Sequence, residues 1–473
     1  MLKKTFVLVL ALLLVMVGIV SAQSGNLPGS GWWSGQQIQN VGTANASVLF
    51  TAYDDQGNDY ACGNAKSAQP GQSVNFLTNT DCTVPAGFVG SAVVSADQPI
   101  AAIVNVVNMP SGRAAGMYRG TDGADVANSI AFPLMKSNYF GRSTTLYIQN
   151  ASSSPNTINV TVKVGASNFT KTFNNVPANA MVLVGPADTN PAMGNNTVGS
   201  ATVTGTGPMA GAALEYQNAV ALGSNLHAYT AFAPSDFAPK AFCPLIRNNY
   251  ARLNTGVQAQ NVSNSPQAIR LTYSYRVNNT GAVMTKVITS PSVPAGASTT
   301  FFTPANGLPD KAVGSAMVEG VNGGNIAVIV NDETFTLNPN RVAAYTCFPS
   351  NAATMKIALP LYKEFYFGDT SGIQVQNVGN AAANISVTYY PPSGGPVKFT
   401  QNNVAAGASA TFYNASGSSA VSGNPAVLLQ TAGGVVVESN QPIVAIVNEE
   451  PGTKAGARPA STQDAKVYEG FNQ

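Results

Sequence analysis

Charge is scarce in this chain. Asp, Glu, Lys and Arg together make up 9% of it, and histidine occurs once. Cysteine occurs four times and tryptophan twice. There is no Gly-x-Ser-x-Gly elbow, phosphate-binding loop or His-Glu-x-x-His motif. After residue 22 there is no second apolar span and no convincing long helical pattern. So low and balanced a charge leaves no electrostatic footprint for nucleic acid or an anionic membrane. The absent motifs argue against an enzyme and imply no cofactor and no metal. Disorder is also argued against, because 45% of the residues are hydrophobic and can build cores.

What is present begins with a leader. Lys3-Lys4, the apolar run from Phe6 to Val20 and "VSA" before Gln23 read as a secretory signal peptide, 1–22, cleaved after Ala22. The alternative is an uncleaved anchor, for which the run is short against the roughly 20 residues that span a bilayer. The mature chain, about 450 residues, then carries 21 basic and 21 acidic residues. Its expected location is extracellular, secreted or at the cell surface.

The body repeats. Gln-Asn recurs with its Asn at 40, 150, 261 and 377, spaced 110, 111 and 116 residues. At the eighth, tenth and twelfth positions after each Asn stand Val48, Phe50, Ala52; Ile158, Val160, Val162; Ile269, Leu271, Tyr273; and Ile385, Val387, Tyr389. All are apolar, and the residues between are mostly polar, with Leu49 the departure. That period of two marks a strand with one buried face. Turn signals follow ("DDQGN", "NNTG", "PPSGG"), then a Pro/Gly turn ("QPGQS", "VPANA", "VPAGAS", "AAGAS") and "VGSA" at Val89, Val198 and Val313. The chain is therefore expected to be all-β: four tandem immunoglobulin-like antiparallel β-sandwiches at 23–128, 129–239, 240–355 and 356–473. The phrase "DQPIAAIVN", repeated as "NQPIVAIVN", reads as a hairpin with Asp/Asn-Gln-Pro at its turn.

Tyr118, Tyr229, Tyr345 and Tyr468 close the copies, and Pro133, Pro244 and Pro360 of "PL" open the next. From Tyr to Pro is always 15 residues and from Pro to Asn always 17. Constant length implies a geometric constraint, so the copies are expected to form a semi-rigid rod, on the order of 120–160 Å long from strand dimensions. Copy one lacks a "PL" opening, which suggests chains that join head to tail.

Few residues could carry chemistry. In an exported chain the cysteines read as disulfides, Cys62–Cys82 and Cys243–Cys347, worth roughly 3 and 4–5 kcal/mol by loop length. His227 has no nucleophile paired with it and reads as structural. Asp54-Asp55 lies in a turn that faintly resembles a calcium loop, and Glu449-Glu450 at a strand end. Trp32-Trp33 suggests a sugar-stacking platform, with Tyr139-Phe140, Asn249-Tyr250 and Tyr366-Phe367 at nearby positions in later copies. Lys136 and Lys363 with Glu215 and Asn331 bring an isopeptide crosslink to mind, but no Lys–acid–Asn trio recurs.

The phrase "FVGSAVVSADQPIAAIVN" and the opening "IQNVG…ANxSVTYY" resemble repeats of secreted, largely uncharacterised surface proteins of Chloroflexota-like bacteria. The resemblance implies an extracellular β-sandwich array and supplies no catalytic residues. The expected function is a non-enzymatic structural or adhesive component: a surface layer, sheath, filament or matrix subunit, self-associating or bound to other surface proteins. The alternative is a secreted array of glycan-binding modules, with polysaccharide as partner.

Overall fold

A computed structural model describes residues 27–108, 114–218, 225–334, 341–413, 415–452 and 464–472. The expected signal peptide, 1–22, lies outside them. The protein is all-β and its sheets are antiparallel. No helix among the described residues is long and apolar enough to cross a membrane.

The second repeat shows the plan. Its outer sheet runs Ser167–Val176, Asn156–Val164, the first part of Thr197–Gln217, then the opening strand Ala127–Ser137. Its inner sheet runs Met181–Val184, Arg142–Asn150, the second part of Thr197–Gln217, then the closing strand Leu226–Thr230. One core lies between them, filled by Ile130 and Phe132 from the opening strand, Ile158 and Val160, Leu146 and Ile148, and Tyr229. The period of two is obeyed throughout. All twelve apolar positions read from the sequence are at most 2% exposed, whereas Leu49 points outward.

The repeated phrase is not a hairpin. Its two halves pair with different sheets: Ser91–Ala96 with Ala46–Tyr53, and Ile100–Asn108 with Trp32–Asn40. The Asp/Asn-Gln-Pro stretch is where the chain crosses from outer to inner sheet, and in the fourth repeat Thr431–Pro451 runs through it as one strand. Proline suits this place because a crossing point has no ladder bond for its missing N–H to break.

Nor do the repeats form a rod. The closing strands Ala115–Arg119, Leu226–Thr230, Val342–Thr346 and Lys466–Glu469 pack each on the next, and the fourth on the first. The cores of the second, third and fourth repeats each continue into the inner sheet of the following one. Ala327 and Ile329 join the second core, Val444 and Ile446 the third, and Ile103 of the first repeat the fourth. The array is a closed ring of four. The tail strand Phe471–Asn472 pairs with Ile357 and Ala358 of its own repeat, and the first and fourth repeats meet within one chain. The described parts of the two ends expected to join different molecules head to tail, in the strands Trp32–Asn40 and Phe471–Asn472, thus pair within one chain.

Candidate functional site

The seams between repeats use the residues that mark the repeat. Each motif Asn ties its own loop. The Nδ2 of Asn40 donates to the carbonyls of Ala44 and Ala68, that of Asn150 to Ser154 and Val176, that of Asn261 to Ser265 and Val293, and that of Asn377 to Ala381 and Val404. The neighbouring Gln reaches the Pro/Gly turn. Gln39 donates to the Gly71 carbonyl at 3.0 Å and Gln260 to that of Gly296 at 3.1 Å. These turn residues are left-handed, with φ of 78° at Gly71, 60° at Asn179 and 76° at Gly296 and Gly407. That is the reason for Gly or Asn there.

The "VGSA" serine of one repeat bonds the same turn of the next. Ser91 donates to the Asn179 carbonyl (2.7 Å), Ser200 to Gly296 (2.8 Å) and Ser315 to Gly407 (2.7 Å). At the closing seam the equivalent residue is Gly434, and a Cβ there would stand 2.6 Å from the Gly71 carbonyl oxygen. The role of these serines was not read from the sequence. A short motif whose partner lies about 90 residues away gives no local signal.

The predicted junction residues meet within repeats. Tyr229 Oη donates to the Leu134 carbonyl at 2.6 Å and accepts from its N–H, and Leu134 follows Pro133. Tyr345 does the same with Leu245 after Pro244, and Tyr468 with Leu361 after Pro360. The constant spacing therefore positions an opening strand under its own closing tyrosine.

A cation in each opening strand meets a carboxylate of the inner sheet: Lys136 with Glu215 (2.8 Å), Arg247 with Asp332 (3.4 Å) and Lys363 with Glu449 (2.7 Å). His227 Nδ1 is 3.1 Å from Glu215. Burial alone would raise the Glu215 carboxyl, but Lys136, His227 and Arg142 together hold it well below the ordinary range. Lys363 and Lys466 do the same for Asp369, again against burial. The paired Lys–Glu groups thus read as ion pairs, and Asn331 belongs to a different repeat from Lys136 and Lys363. Nearer the ring axis, buried Asp464 of the fourth repeat accepts from Asn225 and the Leu226 N–H of the second, both at 2.9 Å. It also accepts from the Ala115 N–H of the first (3.4 Å). Burial pushes its carboxyl up to about 7, only partly offset by those donors.

The remaining sequence candidates are distributed as follows. Cys62–Cys82 and Cys243–Cys347 are joined. Asp54 closes its turn by accepting from the N–H groups of Gln56 and Asn58. Trp32 and Trp33 are not an exposed platform. They lie half-buried in the inner strand Trp32–Asn40, and Trp32 Nε1 donates to the Pro28 carbonyl. The most exposed aromatics among the described residues are instead Phe140 (82%) and Phe367 (58%). Each stands at the tip of the hairpin after an opening strand, edge-on to Tyr139 or Tyr366. With Gly141 and Gly368 they form two-residue turns of positive φ, 50° and 75° in one and 51° and 82° in the other. A phenylalanine there carries backbone strain without gaining burial.

No family model matches the chain, and no curated protein matches it. Among solved structures, a chain described as "Structure of infectious bursal disease virus Gx strain" aligns at 8% identity. The alignment covers 90% of this chain and 83% of that one with a TM-score of 0.10, and it carries no argument.

Proposed function

We propose that the chain is an exported, non-enzymatic structural or adhesive component of the cell exterior. In this reading the leader 1–22 is removed and each repeat is an immunoglobulin-like β-sandwich. The four together make a rigid ring that displays aromatic hairpin tips. The supporting observation is the division of labour among the recurring residues. The Gln-Asn pairs, serines, tyrosines and ion pairs serve the packing of repeats, whereas Phe140 and Phe367 are held out in strained turns. Strain that burial does not repay is expected at places kept for contact. The partner is another surface protein or a polysaccharide.

The test is retention of the exported protein on envelope fragments of the producing cells. The double variant Phe140→Asn, Phe367→Asn should be retained less. It should also melt no lower, because Asn-Gly suits these turns better than Phe-Gly. Competition by soluble oligosaccharides would turn the reading to glycan binding. Equal retention of both proteins would remove it.

A further inference from the structure

In three repeats the outer sheet ends on an opening strand, and in the first, among the described residues, it ends a strand earlier. Ser91–Ala96 pairs with Ala46–Tyr53 on one side and with no described strand on the other. Its counterparts all carry a partner. Ala201 and Val203 face Phe132 and Ile130, Ala316 and Val318 face Cys243 and Ala241, and Val435 and Val437 face Leu359 and Ile357. Those six sheet residues are at most 1% exposed, whereas the equivalent Ala92 and Val94 are only half-buried.

Two further differences fall on the same place. The closing tyrosines of the other repeats clasp both backbone groups of the leucine after the proline. The Tyr118 hydroxyl has no such partner among the described residues. The carboxylate that meets the opening strand's cation in repeats two to four, Glu215, Asp332 or Glu449, is Val106 in the first. The spacing of 110 residues carries the missing partners of Ala92 and Val94 to positions 22 and 20, within the leader. Cleavage after Ala22 would leave "QSGN" before Leu27, too short and too polar to replace them.

We propose that the edge Ser91–Ala96 is a strand-acceptor slot. Its occupant is an extended, uncharged segment of a partner polypeptide, with apolar residues one and three places before a Pro-Leu. Three strands within this chain already fill the equivalent position, Ala127–Ser137, Lys240–Tyr250 and Thr354–Glu364. They define what fits: backbone pairing supplies affinity, and alternate side chains entering the core supply specificity. The seam leaves room for it, because Ser200 and Ser315 bond the next repeat's turn beside a filled slot as Ser91 does beside an open one. Val106 sets one difference from the internal strands. The residue two after the leucine must be neutral, since a cation there would be buried without its carboxylate. The slot belongs to the first repeat and holds whether or not the aromatic tips bind a surface.

The probe is a synthetic peptide of residues 127–137 carrying Lys136→Val, with a scrambled control, added to the exported protein after intact mass has located its N-terminus. Without peptide, amides 92–95 should exchange faster than 201–204, 316–319 and 435–438. The peptide should protect 92–95 at one-to-one stoichiometry and raise the melting temperature, and the scrambled one should do neither. Tyr118→Phe, which leaves the fold intact, should weaken peptide binding by roughly tenfold for its lost hydrogen bonds. Three results overturn the proposal: a leader-free monomer already protected at 92–95, no protection by the peptide, or protection that vanishes on dilution because a second copy fills the slot. An exported chain that keeps 1–22, and becomes exposed at 92–95 when they are deleted, also overturns it in favour of the chain's own leader.

Discussion

Gly434→Ser should destabilise the protein even though serine is what the other three seams carry. Elsewhere the serine hydroxyl bonds a turn carbonyl of the next repeat. At the closing seam the backbones already lie closer. A Cβ on residue 434 would stand 2.6 Å from the Gly71 oxygen and 2.4 Å from Gln39 Nε2. Gln39 can swing away, at the loss of its 3.0 Å bond to Gly71, about 1 kcal/mol. The carbonyl is backbone and can only retreat if the first and fourth repeats separate by several tenths of an ångström. Such overpacking costs about 1–3 kcal/mol, so with the lost bond a total of about 2–4 kcal/mol is expected. Calorimetry also reads the cooperativity. With unfolding entropy near 2 cal/mol/K per residue, each kcal/mol lowers the melting temperature by about 4 °C if one repeat melts alone and about 1 °C if all four melt together. Solution scattering gives the independent check on closure. A compact chain of this length has a radius of gyration near 22 Å and a ring slightly more, against about 35–46 Å for the extended array. A neutral or stabilising Gly434→Ser, or the larger radius in the wild type, would refute the closed ring.

Tyr468→Phe should cost about 2–3 kcal/mol, because it strips a partner from both the N–H and the carbonyl of buried Leu361, while Tyr118→Phe should change stability by less than about 0.5 kcal/mol; denaturant melts of the two variants check the contrast. Asp464 titrates near 7 in the fold against about 4 unfolded. Its contribution is therefore fully present below pH 4 and is lost as pH rises towards 7, on the order of 4 kcal/mol in all. Asp464→Asn should remove that decline between about pH 4 and 7, and parallel stability curves for variant and wild type over that range would count against it. Lys136→Met should be strongly destabilising at neutral pH, by about 3 kcal/mol or more, because buried Glu215 would lose its nearest cation. Lys136→Arg should recover much of that loss in the same melts.

The strands were legible in the sequence because each has one wet face, so that burial writes itself as alternation from Val48 to Tyr389. The cysteine pairing was legible too, because neither pair has counterparts in other copies. The sheet-crossing phrase was misread as a hairpin. A Pro-bearing bend between two apolar runs looks the same whether the runs pair with each other or with different sheets. The tryptophans were misplaced for a related reason: counting from Asn40 puts Trp32 inside a strand, opposite Asn108, while the later aromatics stand in the turn before it. The exposed tips were in view as recurring aromatics. Only the left-handed backbone at Phe140 and Phe367 separates them from core residues.

The ring itself follows from the feature first taken as a sign of a rod. Invariant spacing from Tyr to Pro and from Pro to Asn fixes the step between neighbours, and a fixed step is silent about direction. If each step turns the chain by little, four repeats extend; if it turns by about a quarter circle, the fourth meets the first. What decides is whether the surfaces presented at the two ends are complementary, and the sequence carries marks of that. Gly434 replaces the seam serine at the one contact between repeats far apart in sequence, where the approach to Gly71 is closest. Ile103 of the first repeat occupies the fourth repeat's core just as Ile329 and Ile446 occupy the second and third. An open array would leave that core edge facing water, with Ile357, Leu359 and Val447 beside it. Burying it adds the same apolar contact that holds the seams of the second repeat with the third and of the third with the fourth, without the chain-joining entropy a separate molecule would lose. Closure is therefore favoured over head-to-tail growth at any ordinary concentration, which leaves the edge Ser91–Ala96 for the partner strand proposed above.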